Sequence, residues 1–482
     1  MKTRSDTSAL LWLGLVLFIA LAIAFLLPVT PQDYWWYLRL GRDTLAAGAV
    51  PRVDTLSYSQ AGSPVFNISW GAAVIFWLIY KIGGLTLTVL LRGVLLALAY
   101  FLVWLTARRL GAGRIGAALV LLVAVLASSN NWSLRPQLFA YPLFGLSIYL
   151  IYRWQNGSSK VVYWLPLLSL LWVNLHGSFL MLILLAGAAL VFGRGSRQTL
   201  ALAFVGILLA TLINPRGPGV WVNAYELLTL PAQRFSAEWR PPVNTGWQMN
   251  IFFYWLLAFP LLAAFSPRKL DRLEWVWFLG FGFLALFGER YVIWFIFILA
   301  VFTSILLADW EKKYVDDPKP GSLALNLTLS LVFILLPMAL LPGVREAWWQ
   351  KAPAATAGTP VSATEWLAGH PELPGPLWAE IGFASYLEFA LPSRPPWIDS
   401  RFIPFSVEQW QKYKDITNAA WDWSDLLSGT GANLLMVSPT EQPVLLQALN
   451  SNQDFWCEIY RDGQAVIFQR NPGSGLVPCE GN

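Results

Sequence analysis

The sequence has little charge and almost no histidine or cysteine. Only 13% of its 482 residues are charged, which is about half the usual share for a soluble domain. The two histidines are too few for a histidine-rich metal site, and the two cysteines are too few for a zinc finger or an iron–sulfur site. The same scarcity of charge excludes a disordered chain and a nucleic-acid binder.

Apolar residues take the place of the missing charge. They make up 56% of the chain, which includes 27 Trp, 29 Phe and 16 Tyr, and the mean hydropathy is +0.52. A water-soluble core cannot hide that much apolar surface. The composition therefore predicts an α-helical polytopic membrane protein. In such a protein a net charge of +5 is more typical of loop orientation than of an acidic partner.

Apolar runs predict the membrane spans, since a spanning helix needs about 20 apolar residues. The first run, 10–27, is too long for the apolar part of a signal peptide and predicts a retained first span. The stretch 70–82 is shorter, ends at Gly83-Gly84, and predicts a helix lying in the interface. We predict about eleven spans in all. The later ones lie at 85–106, 115–127, 138–152, 161–173, 179–192, 200–213, 251–265, 273–287, 291–308 and 323–341.

Basic residues in alternate loops predict the orientation. They are Lys2, Arg4, Arg108, Arg109, Arg114, Arg153, Lys160, Arg194, Arg197, Arg268, Lys269, Arg272, Lys312 and Lys313. The positive-inside rule makes these loops and the N-terminus cytoplasmic. An odd number of spans then places residues 343–482, the tail, on the outer side of the membrane. The chain is thus predicted to consist of a membrane module, 1–342, and an extracytoplasmic domain, 343–482.

The tail has the pattern of a small α/β domain. Residues 434–437 and 465–468 predict buried strands, and 444–449 predict a helix. Both cysteines, Cys457 and Cys479, fall in the tail. An oxidising compartment makes a disulfide between them the leading hypothesis, and two unpaired thiols are the alternative.

Polar residues crowd at the predicted outer ends of the spans, above all in the first loop, 28–69. There Asp33 follows the first span, beside Trp35 and Trp36. Asp33 has two interpretations that do not exclude each other. It is the N-cap of an amphipathic helix that ends near Gly48, or a carboxylate held at the membrane boundary as a general base or metal ligand. The aromatic residues likewise form an ordinary interfacial belt or part of that site.

Arginines mark the other outer ends, on a face expected to be poor in basic residues. They are Arg135, Arg216, Arg240 and Arg290. These side chains either extend to headgroup phosphates or form a cage for a lipid phosphate or pyrophosphate, since guanidinium binds phosphate through two hydrogen bonds. His176 is either a structural histidine or an acid/base group of the site. Glu238 lies in one of the same clusters.

An acid just after the first span, followed by an aromatic-rich amphipathic loop, resembles the GT-C superfamily of integral-membrane glycosyltransferases. More narrowly, the sequence resembles a poorly defined bacterial GT-C-like group. The segments that carry the resemblance are Asp33-x-Trp-Trp-x-Leu-Arg-x-Gly-Arg42, Pro51-Arg-x-Asp54-x-x-Ser57-Tyr58, Arg135-Pro-Gln137, Asn174-x-His176-Gly177, Asn214-Pro-x-Gly217, Glu238-Trp239, Ile398-Asp-Ser-Arg401 and Tyr460-Arg-Asp-Gly463.

The resemblance implies a transferase that takes a sugar from a polyprenyl-phosphate-linked donor in the outer leaflet. The acceptor would be a glycan, a lipid or a protein. Asp33 would be the catalytic base or a metal ligand, with Asp54, His176 and Glu238 as further catalytic candidates. The candidates for donor and phosphate binding are Arg135, Arg216, Arg290, Trp35, Trp36 and Arg39. The first loop has no Asp-Asp or Asp-x-Asp pair, so no metal ligands are assigned and a divalent cation is left open.

Two other classes of protein stay open. A non-catalytic assembly or anchoring subunit on the same scaffold would use the tryptophan-rich tail to bind a partner. A lipid or sugar transporter would need charge near the bilayer midplane. The predicted spans are nearly free of charge, and Arg92 in the second span is the main exception.

Overall fold

A computed structural model describes residues 7–31, 33–229, 237–314, 322–349, 356–401 and 403–471. The fold is mostly helical, with a small sheet near the C-terminus. The helices are α1 (Thr7–Leu26), α2 (Tyr34–Ala47), α3 (Trp70–Arg109), α4 (Arg114–Ser128), α5 (Gln137–Gln155), α6 (Leu165–Leu175), α7 (Leu180–Phe192), α8 (Arg197–Ala210), α9 (Gly219–Thr229), α10 (Gly246–Phe265), α11 (Arg272–Phe287), α12 (Val292–Tyr314), α13 (Leu323–Leu335), α14 (Pro342–Trp349), α15 (Val361–Ala368), α16 (Ile381–Ala390), α17 (Val407–Thr417), α18 (Trp423–Ser428) and α19 (Pro443–Asn450). The strands are β1 (Leu377–Ala379), β2 (Leu434–Val437), β3 (Trp456–Arg461) and β4 (Val466–Arg470).

Several helices have the length and composition of membrane spans. Within the described residues, six helical stretches are long and apolar enough to cross a membrane: Thr7–Leu26, Trp70–Arg109, Arg114–Asn131, Gly246–Phe265, Glu289–Lys312 and Leu323–Leu340. Shorter apolar helices lie at Ser159–Leu175, Gly177–Phe192 and Arg197–Ala210. The chain is a multi-pass membrane protein, as its composition predicts. The number of eleven spans and the direction of the chain through the membrane stay predictions.

Helix α3 is interrupted where the sequence predicts a break. Gly83 and Gly84 leave the helical backbone conformation, and the φ of Gly84 is +58°. That region is open to glycine at little cost and disfavours other residues. The apolar stretch before the break is therefore a helical segment distinct from the predicted second span.

A buried arginine supports the end of α1. Arg92 is fully buried, and its Nη2 donates to the carbonyl oxygens of Ala24 at 2.5 Å and Leu27 at 2.6 Å. The last carbonyl groups of a helix have no partner inside the helix, and a cation there also matches the negative end of the helix dipole. The main charge within the predicted spans thus has a structural role. This weakens the transporter hypothesis, for which Arg92 was the main argument.

Contacts between Cα atoms divide the chain into two compact units. The first unit comprises the described residues within 1–27, 79–222 and 234–355. The second comprises those within 28–78, 223–233 and 356–482. The first loop therefore groups with the tail in one unit. The sequence-based boundary after residue 342 stays a prediction.

The second unit contains the predicted α/β domain. Its four-stranded sheet has the order β1-β2-β4-β3, with β1 parallel to β2 and the other neighbours antiparallel. The predicted strands at 434–437 and 465–468 correspond to β2 and β4, and the predicted helix at 444–449 corresponds to α19. Strand β2 is fully buried, which fits its continuous apolar sequence. The core of the domain contains Ala363, Leu367, Leu377, Phe383, Leu387, Leu434, Met436 and Ile467.

Helix α2 lies close to the start of α3 at a glycine. A Cβ on Gly41 would overlap the carbonyl oxygen of Ala73 and lie 2.9 Å from the Cβ of Trp77. Trp36 and Leu40 pack with Ala73 in an apolar cluster of the same unit. The absence of a side chain at Gly41 thus allows the close approach that positions α2.

We expect Gly41→Ala to lower the free energy of unfolding by about 1–3 kcal/mol, because the added methyl must displace backbone atoms. The matched control is Gly280→Ala in α11, where a Cβ meets nothing within 4 Å. That variant should match the parent or gain up to about 1 kcal/mol from its better helix propensity. Thermal unfolding of the purified chain in detergent compares the two, and equal melting temperatures would contradict a packing constraint at Gly41.

Candidate functional site

Asp33 lies directly before α2, which ends at Gly48 in the left-handed conformation, as predicted. It occupies the N-cap position, but its side chain makes no capping hydrogen bond to the helix within the described residues. Its Oδ1 instead accepts hydrogen bonds from the Ser400 hydroxyl at 2.5 Å and from Trp36 Nε1 at 3.4 Å. The side chain is half-buried. Asp33 is therefore oriented by side-chain donors, one of which comes from the tail.

The neighbouring residues of α2 face the tail helix α16. Trp35 and Trp36 are both buried, and the backbone N–H of Trp36 donates to Ser385 Oγ at 3.0 Å. Arg39 Nη1 donates to the carbonyl oxygen of Glu388 at 2.9 Å. These three residues join the first loop to the tail. Their predicted part in donor binding stays a prediction.

A buried ion-pair cluster also ties the first loop to the tail. Arg401 Nη1 lies 2.7 Å from Asp54 Oδ2, and Arg401 Nη2 lies 2.5 Å from Asp399 Oδ2. All three side chains are buried, with Asp54 2% exposed. Asp54 Oδ1 accepts the backbone N–H groups of Leu56 and Ser57 at 2.8 and 3.1 Å. Each carboxylate oxygen of Asp54 thus has a close partner, an arrangement typical of a structural ion pair.

Glu388 adds a third carboxyl group to this cluster. It is 1% exposed, and burial, together with the nearby Asp399 carboxylate, raises the pKa of Glu388 well above its usual range despite Arg401. Asp399 and Asp54 in turn hold the pKa of Arg401 above its usual range, although burial opposes this. Of the three carboxyl groups, Glu388 is therefore the one whose surroundings favour the protonated form.

Sequence reasoning did not assign roles to Ser400, Arg401, Asp399 or Glu388. The first three appear only within the segment Ile398–Arg401 that carries the resemblance. Glu388 had one local signal, because it is a lone acid in the otherwise apolar helix α16. A single acid on a buried helix requires a partner or a proton.

A second cluster lies in the other unit and gathers four predicted site residues. Arg135 Nη1 pairs with Glu238, and the guanidinium carbon of Arg290 lies 4.0 Å from the centre of the Trp239 ring. Burial alone would raise the pKa of Glu238, but Arg135 and Arg290 outweigh it and hold that pKa below its usual value. Burial, and then Arg290 and Arg135, lower the pKa of His176 to about 3. His176 is therefore neutral at neutral pH.

Short 3₁₀ turns at helix ends position this cluster. The turns Ala237–Trp239 and Glu289–Tyr291 are joined by a hydrogen bond from the backbone N–H of Glu289 to the carbonyl oxygen of Arg240 at 2.9 Å. His176 Nδ1 accepts the backbone N–H of Ser178 at 3.1 Å. The polar groups thus meet where apolar helices end.

The guanidinium of Arg290 has different surroundings from that of Arg135, which pairs with Glu238. It stacks on Trp239, and no hydrogen-bond acceptor within the described part of the chain takes up its N–H groups. Arg216 has a different setting, since it is exposed in a turn where Asn214 Oδ1 accepts its backbone N–H at 2.8 Å. Phosphate binding by Arg216 stays a prediction.

The remaining predictions concern a metal and a disulfide. Among the described residues, no group of three or more His, Cys, Asp or Glu side chains is arranged to hold a metal ion. The buried acids Asp54 and Asp399 instead face the guanidinium of Arg401. Cys457 lies in β3, whereas Cys479 lies outside the described residues. The disulfide stays a prediction.

No protein-family model and no curated protein matches the sequence, but solved structures share its fold. One is the archaeal oligosaccharyltransferase AglB from Archaeoglobus fulgidus with an inhibitory peptide and a dolichol-phosphate, at TM-score 0.56 and 11% identity over 96% of this chain and 74% of that chain. The A. fulgidus oligosaccharyltransferase tethered to an acceptor peptide gives 0.59 and 12% over 98% and 74%. ArnT from Cupriavidus metallidurans in the apo state gives 0.50 and 14% over 94% and 95%.

At these identities the likeness concerns the fold. These neighbours, the AglB oligosaccharyltransferases and ArnT, are GT-C glycosyltransferases. The chain therefore has the GT-C fold that its first loop predicts. The small C-terminal domain with its sheet completes the predicted fold class.

The raised pKa of Glu388 gives a pH dependence with a definite sign. The folded state holds this proton more tightly than the unfolded chain, so the stabilisation is complete below pH 4.5, the ordinary glutamate value, and is lost as the pH rises towards the folded-state pKa. Glu388→Gln has no proton to lose. We expect the melting temperature of the variant relative to the parent to increase as the pH rises above 4.5.

The matched control for this titration is Glu365→Gln, which changes an exposed glutamate of α15 in the same unit. Its melting temperature should keep a constant difference from the parent across the same pH range. Glu388→Gln behaving in the same way would contradict the buried proton.

Proposed function

We propose that the protein is a glycosyltransferase that moves a sugar from a polyprenyl-phosphate-linked donor to an acceptor at the outer face of the cytoplasmic membrane. The observation that carries the proposal is the Asp33 carboxylate, half-buried and oriented by Ser400 and Trp36 directly after the first span of a GT-C fold. The AglB structure with a dolichol-phosphate supports this class of donor. The A. fulgidus oligosaccharyltransferase tethered to an acceptor peptide supports one class of acceptor.

The proposed reaction is a displacement at C1 of the sugar. Asp33 accepts the proton of the acceptor hydroxyl as the acceptor oxygen forms its bond to C1. The bond between C1 and the phosphate oxygen breaks, and the polyprenyl phosphate leaves with the electron pair. Attack from the side opposite the leaving group inverts the configuration at C1.

The cluster around Arg290 is proposed to bind the donor phosphate. Arg290 has N–H donors that the described residues do not use, and the Trp239 ring under it holds the plane of the guanidinium. Arg135 is fixed by Glu238 and adds positive charge. Because Nδ1 of the neutral His176 accepts the Ser178 N–H, its proton lies on Nε2, which is then a donor for a phosphate oxygen. These donors would stabilise the negative charge that develops on the leaving group.

The Asp54 carboxylate has a different proposed role. It was a candidate second catalytic acid, but its ion pair with Arg401 and its backbone donors support a structural role. We therefore assign the base to Asp33 alone.

We expect Asp33→Asn to lower kcat by about 10²–10⁴-fold, the usual contribution of a general base, without a change in melting temperature. The measurement uses the purified chain in lipid nanodiscs with a panel of undecaprenyl-phosphate-linked sugars and a membrane extract as acceptor. Released undecaprenyl phosphate, quantified by mass spectrometry, reports transfer to any acceptor. Asp43→Asn, which changes the acid within α2 itself, is the control and should stay within about twofold of the parent.

Full activity of Asp33→Asn would rule out the base. A parent chain that releases no undecaprenyl phosphate with any donor, and that purifies with a stoichiometric protein partner, would favour the assembly-subunit hypothesis instead.

We expect Arg290→Gln to raise the KM for the donor about tenfold or more, since it removes a charged partner of the phosphate. Arg194→Gln is the control because Arg194 is 73% exposed and forms a surface pair with Asp271; it should leave KM within about twofold. The same panel assay, run over a range of donor concentrations, compares the two. Equal KM values would remove Arg290 from the phosphate site.

A further inference from the structure

Two consecutive residues of the tail hold two acids of the first loop, Asp33 and Asp54. The Ser400 hydroxyl donates to Asp33 Oδ1 at 2.5 Å, and Arg401 pairs with Asp54 Oδ2 at 2.7 Å. All four residues lie in the same compact unit. The proposed base is therefore completed by a residue far away in the sequence.

The backbone on both sides of Ser400 is fixed. Ile398, Asp399 and Arg401 are buried. Asp399 Oδ1 accepts the backbone N–H of Arg401 at 2.8 Å and the Arg401 Nε at 2.9 Å, which closes a small ring around Ser400. A hydroxyl on such a fixed segment has little freedom, so its hydrogen bond imposes a direction on its partner.

The partner of that hydroxyl is half-buried and needs a defined direction. A hydrogen bond from O–H to a carboxylate is short and stronger than one between neutral groups, and the 2.5 Å distance between Ser400 Oγ and Asp33 Oδ1 fits this class. Trp36 Nε1 reaches the same oxygen from within α2. Both described donors therefore act on Oδ1 and restrict rotation of the carboxylate.

We infer that Ser400 is a positioning residue for Asp33. It fixes the carboxylate in the orientation in which that group takes the proton of the acceptor, so the tail takes part in the reaction through this contact. The inference rests on the proposed function of Asp33. It differs from a purely structural role, in which Ser400 would only strengthen the attachment of the first loop to the tail.

Ser59 of the first loop provides a control that distinguishes the positioning role of Ser400 from a purely structural one. Ser59 Oγ donates to the carbonyl oxygen of Trp397 at 2.5 Å, a hydrogen bond between the same two segments and of the same length, and Ser59 has no described contact with Asp33. Ser59→Ala therefore weakens the attachment of the loop without removing a partner of the proposed base.

The experiment measures kcat and the donor KM for Ser400→Ala, Ser400→Thr and Ser59→Ala in the nanodisc assay with undecaprenyl-phosphate-linked sugars. We expect Ser400→Ala to lower kcat about tenfold with KM within about twofold, because the lost hydrogen bond orients the base and does not bind the donor. Ser400→Thr keeps the hydroxyl and should restore most of kcat. Ser59→Ala should retain kcat within about twofold.

A second pair of variants tests the inference if Ser400→Ala folds poorly. If Ser400→Ala lowers the melting temperature, Ser400→Val against Ser400→Thr isolates the hydroxyl, since valine and threonine have nearly the same shape. A lower kcat for the valine variant supports the inference, and equal kcat values overturn it.

The outcomes separate this inference from the proposed function. An active parent with equal kcat in Ser400→Ala and Ser59→Ala, or with a loss confined to KM, overturns the positioning role and leaves the proposed function intact. A parent that is inactive with every donor of the panel overturns the proposed function, and the positioning role of Ser400 is then overturned with it.

Discussion

The pairing of Arg401 with Asp54 and Asp399 is the interaction on which the second unit depends. Burying charges is unfavourable unless each finds a partner, and removing one partner of a buried pair commonly costs about 3–5 kcal/mol. Here one guanidinium faces two carboxylates, and burial together with Asp399 raises the pKa of the third carboxyl, on Glu388. Asp54 belongs to the first loop, whereas Arg401 and Asp399 belong to the tail. The ion pair between Asp54 and Arg401 therefore also attaches the first loop to the tail.

The elements of the fold could largely be predicted because their signals are local. The length of an apolar run, the Gly83-Gly84 pair that interrupts α3 and the Gly48 that ends α2 each act through the residue itself or its close neighbours. Two of the four strands of the tail, β2 and β4, were predicted for the same reason, and β1 and β3 were not predicted. The exact number of spans could not be read in this way, since short apolar helices such as α6 and α8 fall below the length of an ordinary span.

The sequence singled out several candidate residues, whose roles stay predictions, but it indicated neither their contacts nor their partners in the tail. Asp33, Arg135, His176 and Arg290 stand out because a polar residue at the end of an apolar helix is conspicuous. The partners of these residues are set by packing between distant segments. No local sequence pattern predicts that Ser400 donates a hydrogen bond to Asp33 or that Arg135 pairs with Glu238. Arg39, Trp35 and Trp36 have the composition of a ligand site, yet in the structure they also join two segments of the chain.

The hydrogen bond between Asp33 and Ser400 can form only after the ribosome has synthesised both residues. Ribosomes release a chain from its N-terminus, so the first loop is complete long before residues 398–401 exist. Asp54 meets the guanidinium of Arg401, and Asp33 meets the hydroxyl of Ser400, only once the chain has been synthesised through the first part of the tail. A truncated or stalled chain therefore carries both acids without their partners. The contacts of the first loop with Ser400 and Arg401 are therefore completed only after the segment that carries these two residues has been made.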